Sequence, residues 1–114
     1  MKKKNIVKEN KDFSKIINNG KKCWNDAYSI YYDENNYGNY RIGISVSKKI
    51  GNAVVRNKIK RQIRNIADKY KNIYQKNRDY IIIVRRNYIN LNFYELEIKY
   101  LELINKITHR GELQ

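Results

Sequence analysis

Proline is absent from the 114 residues, and glycines number only 5. No Pro/Gly-rich stretch marks a flexible linker, so 1–114 is expected to form a single domain. The one cysteine, Cys23, excludes an internal disulfide and a cysteine-based zinc framework, which fits a reducing cytoplasm. The one histidine, His109, has no cysteine or acidic constellation beside it in the sequence. Neither metal ligation nor acid–base work is expected of it. Acidic residues number 11 and are scattered, as at Asp26, Asp33, Asp68 and Asp79. They do not make the carboxylate cluster of a metal-dependent nuclease, so no catalytic and no metal-binding residue is assigned. The longest apolar run, Ile81-Ile82-Ile83-Val84, falls far short of the roughly 20 residues of a membrane span. The N-terminal lysines precede no apolar stretch of the kind a secretory signal needs. No internal repeat is present.

Cation is what the chain has in excess. Lys and Arg total 25, giving a formal net charge of +14 and a pI near 9.9. A domain so charged should seek a polyanion, with nucleic acid first, then an anionic membrane surface or an acidic protein. Leu, Ile, Val and Phe together number 30, which is enough apolar content for a folded core rather than a disordered chain.

Periodicity gives the elements. Residues 1–9 read as a loose basic arm. Asn10 or Asp12 is placed to cap a short helix through about Asn19, with Gly20 as its C′ residue. Residues 27–33 read as a strand, with Tyr28, Ile30 and Tyr32 on one face and Ser29 and Tyr31 on the other. A turn over 33–39 leads to a second strand, 40–47. There Tyr40, Ile42, Ile44 and Val46 oppose Arg41, Gly43, Ser45 and Ser47. A helix follows from Asn52 to about Lys71, with Val55, Ile59, Ile63, Ile66 and Tyr70 as its buried stripe. Residues 79–85 form a strand apolar enough to be buried on both faces. Asn92 caps a last helix to about Thr108, with a stripe of Phe93, Leu96, Tyr100, Leu103 and Ile107. The order is α-β-β-α-β-α, an α+β sandwich of helices on a small sheet. Most of the 11 tyrosines are expected at core edges or on the surface.

The central helix carries the sharpest signal. On a helical wheel its apolar stripe spans roughly 80°, and Asn57, Lys60, Arg61 and Arg64 lie opposite, within about 100°. Arg56 borders the stripe, and Lys48 and Lys49 precede the helix. No acidic residue occurs between Lys48 and Arg64. An ordinary solvated face mixes signs, whereas this one offers guanidinium forks and ammonium charges matched to phosphate oxygens.

The run IGISVSKKIGNAVVRNKIKRQIR, residues 42–64, resembles the signature of the bacterial ribonuclease P protein subunit. That signature is a strand ending in S-V-S-K-K, a G-N-A-V turn, and an R-N-R-x-K-R-x-x-R helix. KDFSKIINNG resembles the family's first helix, and DYIIIVRRN the strand after the basic helix, so the likeness covers about residues 10–108. The sequence departs at two places. Lys58 replaces the last Arg of the R-N-R triplet, turning a fork into a point charge. Ile17 stands where a second Phe is frequent, which removes a stacking ring but keeps an apolar wall.

The resemblance implies a four-stranded sheet related to the second domain of ribosomal protein S5, with a left-handed βαβ crossover. It implies that a catalytic RNA subunit holds the active-site Mg²⁺ and performs the hydrolysis, the protein alone being inactive. It also implies binding to that RNA through Lys48, Lys49, Arg56, Asn57, Lys58, Lys60, Arg61 and Arg64. The 5′ leader of precursor tRNA would lie in a cleft containing Phe13, Ile17, Tyr31, Ser45 and Ser47. Phe13 reads equally well as a core residue, and the two serines as plain surface. Arg85 and Arg86 would extend the basic surface. No membrane and no obligatory protein partner is implied. Two other classes remain open at this point: a structural RNA-binding protein of ribosomal type, and a self-sufficient nuclease.

Overall fold

The computed structural model describes the backbone of residues 1–112 and the side chains through Thr108; the expectation for His109 lies outside the described side chains. Three helices and a four-stranded sheet follow in the order α1 (Asn10–Asn19), β1 (Lys21–Trp24), β2 (Tyr28–Glu34), β3 (Arg41–Ser45), α2 (Ala53–Lys69), β4 (Arg78–Val84) and α3 (Phe93–Glu112). The spatial order is β1-β2-β4-β3. β2 pairs antiparallel with β1 and β4, whereas β3 and β4 run parallel, joined through α2. This is the expected α+β class with one strand more than hydrophobic periodicity alone reveals. β1 is four residues long and buries only Cys23, too little pattern to read.

One face of the sheet carries α2 and α3 and holds the main core. Ile59, Ile63 and Ile66 of α2 and Leu96, Tyr100, Leu103 and Ile107 of α3 are buried there. Val55 and Phe93, the first residues of the two expected stripes, remain 38% and 50% exposed; each lies in the first turn of its helix, and both line a surface groove with Tyr88 and Leu91. Asn52 caps α2 by accepting from the Val55 N–H at 3.0 Å. Asn92 and Glu95 cap α3 reciprocally, at 2.8 and 3.3 Å.

The tyrosines do not stay at the edges. Tyr28, Tyr80 and Tyr100 are among the largest fully buried side chains. Their hydroxyls have partners: Tyr28 donates to the Leu96 carbonyl at 2.9 Å, Tyr74 and Tyr100 share a 2.6 Å hydrogen bond, and Tyr80 accepts from the Gln75 N–H at 3.2 Å. A satisfied phenol buries like a large hydrophobe.

The opposite sheet face carries α1. Ile16, Val7 and Ile81 form a small second core there, with Phe13, Ile17, Tyr31 and Ile83 packed around it. The N-terminal segment is not a loose arm at residues 5–7. Val7 is 3% exposed, its N–H donates to the Ile42 carbonyl at 2.9 Å, and Asn5 Nδ2 donates to the Tyr40 carbonyl at 2.7 Å. The capping of α1 also differs from expectation. Glu9 occupies the N-cap position without a side-chain hydrogen bond, and Asn10 and Asp12 lie inside the first turn, where Asp12 favours the positive helix end. Gly20 ends α1 at φ −82°, not in the left-handed region. Glycine is required there by space, since a Cβ would lie 2.5 Å from the Ile16 carbonyl oxygen and 2.6 Å from that of Tyr32.

Candidate nucleic-acid interface

A cleft of about 940 Å³ opens between α1, the N-terminal segment, β3 and α2. α1 contributes Phe13, Ser14 and Ile17, β3 contributes Ser45, and α2 contributes Lys60, Arg61 and Arg64. Phe13, Ile17 and Ser45 of the expected aromatic cleft and Lys60, Arg61 and Arg64 of the expected basic surface therefore meet around one cavity, whereas Tyr31, Ser47, Lys48, Lys49, Arg56, Asn57 and Lys58 do not line it. Helical spacing explains the α1 side, because Phe13 and Ile17 are four residues apart and project from one face. Gly43 makes room for Phe13: a Cβ at Gly43 would lie 2.7 Å from the Phe13 ring and 2.8 Å from Ile81.

Cross-strand register lays out the floor. Gly43, Ile81, Tyr31 and Lys22 form one row across the four strands, and Ser45, Ile83, Ser29 and Trp24 the next. Tyr31 is half-buried, on the sheet face away from the main core, as its alternation requires. It belongs to the same apolar cluster as Phe13 and Ile17 without lining the main cavity. Ser47 is not part of the floor. β3 ends at Ser45, and the exposed Ser47 Oγ accepts from the Lys49 N–H at 3.2 Å, closing the turn into α2.

The cationic wall is unneutralised. Among the described residues, no carboxylate lies within ion-pair distance of Lys48, Lys49, Arg56, Lys58, Lys60, Arg61 or Arg64. Lys48, Lys49, Asn57, Lys58, Arg61 and Arg64 are exposed, and Lys60 and Arg56 are half-buried. Asp68 at the end of the cleft is its one acid among the described residues, 3.6 Å from the N-terminal ammonium. Arg85 and Arg86 are exposed beyond β4 and do not line the cleft.

The α1 side of the cleft is held by a separate ion network. Arg41 donates twice to Asp79, at 2.9 and 2.7 Å, and reaches Asp12 of α1 at 3.5 Å. Asn35 Nδ2 adds a 2.6 Å bond to Asp79. The hydrogen bonds to Asp79 hold the Arg41 guanidinium still more firmly protonated than usual. The network ties the start of α1 to β3, β4 and the β2–β3 turn. Sequence reasoning missed Ile6, Val7 and Lys8 as cleft residues; the only signal was a pair of apolar residues within a lysine-rich arm. Among the described residues no three His, Cys, Asp or Glu side chains gather as a metal site, and no helix is long and apolar enough to cross a membrane.

An α+β domain with an unpaired cationic helix beside an aromatic-walled cleft has the surface of a protein that meets a polyanion. The profile of the family described as Ribonuclease P matches residues 1–108, and the chain belongs to that family, as a bacterial ribonuclease P protein component. The ribonuclease P protein component of Mycoplasma mycoides is 44% identical over 94% of this chain and 99% of its own. That of Streptococcus agalactiae is 46% identical over 85% and 88%. Among solved structures, a Staphylococcus aureus RNase P protein mutant with defective mRNA degradation activity matches with a TM-score of 0.83 at 34% identity, covering 92% of this chain and 89% of that one. The RNase P protein of Thermotoga maritima gives 0.80 at 29% identity, covering 88% and 94%. Membership makes the chain a component of an endoribonuclease.

Proposed function

We propose that this protein binds the catalytic RNA of ribonuclease P through the α2 wall and the 5′ leader of precursor tRNA through the cleft floor, promoting leader removal. The observation that carries this reading is the meeting of two chemistries at one cavity: unpaired Lys60, Arg61 and Arg64 face Phe13, Ile17 and Ser45. The cations displace counterions from phosphates, which supplies affinity with little sequence preference. Arg61 and Arg64 can bind phosphate oxygens bidentately, while Lys48, Lys49, Lys58 and Lys60 add point charge. Asn57 offers an amide for hydrogen bonding beside them.

The floor suits a different ligand. The Phe13 and Tyr31 rings can stack on unpaired bases, Ile17 closes the wall without stacking, and the Ser45 hydroxyl can donate to a phosphate. Ser47, engaged in its turn, is left out of this set. Holding the leader beside the bound RNA orients the scissile phosphodiester, which is a positioning role. We assign the active-site Mg²⁺ and the hydrolysis to the RNA subunit. The setting we infer is the cytoplasm, with no membrane and no obligatory protein partner.

Reconstitution tests this directly. Purified protein with its RNA and Mg²⁺ should promote cleavage at the mature tRNA 5′ end, and protein freed of RNA should cleave nothing. Specific 5′-end cleavage by the RNA-free protein would refute the assignment.

A further inference from the structure

The floor of the cleft continues beyond it. The row that begins in the cavity at Ser45 passes through Ile83 and Ser29 and ends on the edge strand at Trp24. Three strand spacings separate its ends, roughly 14 Å. Trp24 is 58% exposed. Lys22, on the same face of β1, sets its ammonium 5.3 Å from the Trp24 ring and 5.4 Å from the Tyr31 ring. A cation thus bridges an open indole on the edge to the aromatic residue of the cleft floor. Lysines on an edge strand are explained by protection against strand pairing. An indole with most of its surface in water is not, since it adds apolar area to the edge that the lysines guard.

We infer that Trp24 and Lys22 form an additional subsite for single-stranded RNA, Trp24 stacking on a base and Lys22 meeting the phosphate between that base and the one at Tyr31. This rests on the reading that the leader lies in the cleft. The direction follows from the layout. α2 closes the Ser45 end, so a leader leaving RNA bound at α2 runs from Ser45 toward β1. Long leaders reach Trp24 and short ones stop before it. The indole is the largest stacking face the chain can offer, and stacking tolerates any base, so the subsite rewards length more than sequence.

The chain has a single tryptophan, so its fluorescence reports on this spot alone. Holoenzymes reconstituted with wild type, Trp24→Ala, Trp24→Phe and Tyr31→Ala are compared on precursor tRNAs whose leaders grow from one nucleotide upward. Trp24→Ala should weaken binding of long-leader precursors about fivefold or more. It should spare mature tRNA and leaders just long enough to register Tyr31→Ala. Trp24→Phe, which keeps a ring, should retain most of the affinity. In the wild-type holoenzyme a long leader should quench the indole emission and mature tRNA should not. Equal weakening of every substrate, or weakened assembly with the RNA subunit, would place Trp24 against that RNA and overturn the proposal. An inert Trp24→Ala with an unquenched indole, while Tyr31→Ala keeps its length dependence, would overturn the subsite and leave the cleft reading standing. Loss of length dependence for Tyr31→Ala as well would overturn both.

Discussion

Phe13 reaches across the second face of the sheet only because residue 43 has no side chain. Gly43→Ala would put a methyl 2.7 Å from the Phe13 ring and 2.8 Å from Ile81. The ring must then move off the floor, at an overpacking cost of about 1–3 kcal/mol. We expect a melting temperature lower by about 4 °C or more, together with weaker binding of precursor tRNA. A melt and an affinity unchanged from wild type would show that the ring is not held there. At this scale the sequence was partly legible. Tyr31 stood out because an aromatic on the alternate face of a strand breaks the pattern, and it does lie on the α1 side. The alternation continues to Ser47 whereas strand pairing stops at Ser45, so Ser47 lies in the turn into α2 and not on the sheet. Side-chain identity alone does not say where a ladder ends. The buried tyrosines were illegible for a related reason: a phenol is at home in a core only if its hydroxyl finds a partner, and those partners, such as the Leu96 carbonyl 68 residues away from Tyr28, are set by tertiary structure.

The element that sequence describes best is α2, since one helix carries both of its faces in a single run. Ile59, Ile63 and Ile66 are buried, while Arg61 and Arg64 are exposed and unpaired. Arg61→Ala combined with Arg64→Ala should therefore leave the melt near wild type and weaken assembly with the RNA subunit. Each lost phosphate contact should flatten the plot of log affinity against log salt by up to about one unit. A folded double variant with wild-type affinity and slope would remove α2 from the interface. Short or irregular elements were harder to read. β1 buries one residue of four. Within a lysine-rich arm, Val7 gave little hint that it would join the second core. The start of α1 lacks the side-chain cap that would mark it, and is fixed instead through Asp12, Arg41 and Asp79, a link between distant parts of the chain.

Across the whole molecule the core is unusually phenolic, and that fixes how the fold responds to alkali. Burial pushes the pKa values of Tyr28, Tyr74, Tyr80, Tyr88 and Tyr100 above 10, that of Tyr88 to about 12. The folded state then holds these protons more tightly than the unfolded chain does. Their contribution is fully present below pH 10 and is lost as pH rises from there through the raised folded-state values, for Tyr88 through about 12. Phenolate absorbance from these rings should therefore appear together with loss of circular dichroism. Complete ionisation near pH 10 in a still-folded protein would contradict the packing. The same global arrangement puts the cations of α2 and the apolar residues of α1 around a single cavity, and the central claim of the proposed function is that α2 serves the catalytic RNA and the floor serves the leader, so that the two roles separate. The most direct test is the ratio of wild-type to Tyr31→Ala holoenzyme affinity, measured at fixed salt and Mg²⁺ across a series of leader lengths. The account predicts a ratio near one for mature tRNA and for a one-nucleotide leader, rising to about fivefold or more once the leader reaches the floor, with assembly unchanged. A ratio independent of leader length would contradict it.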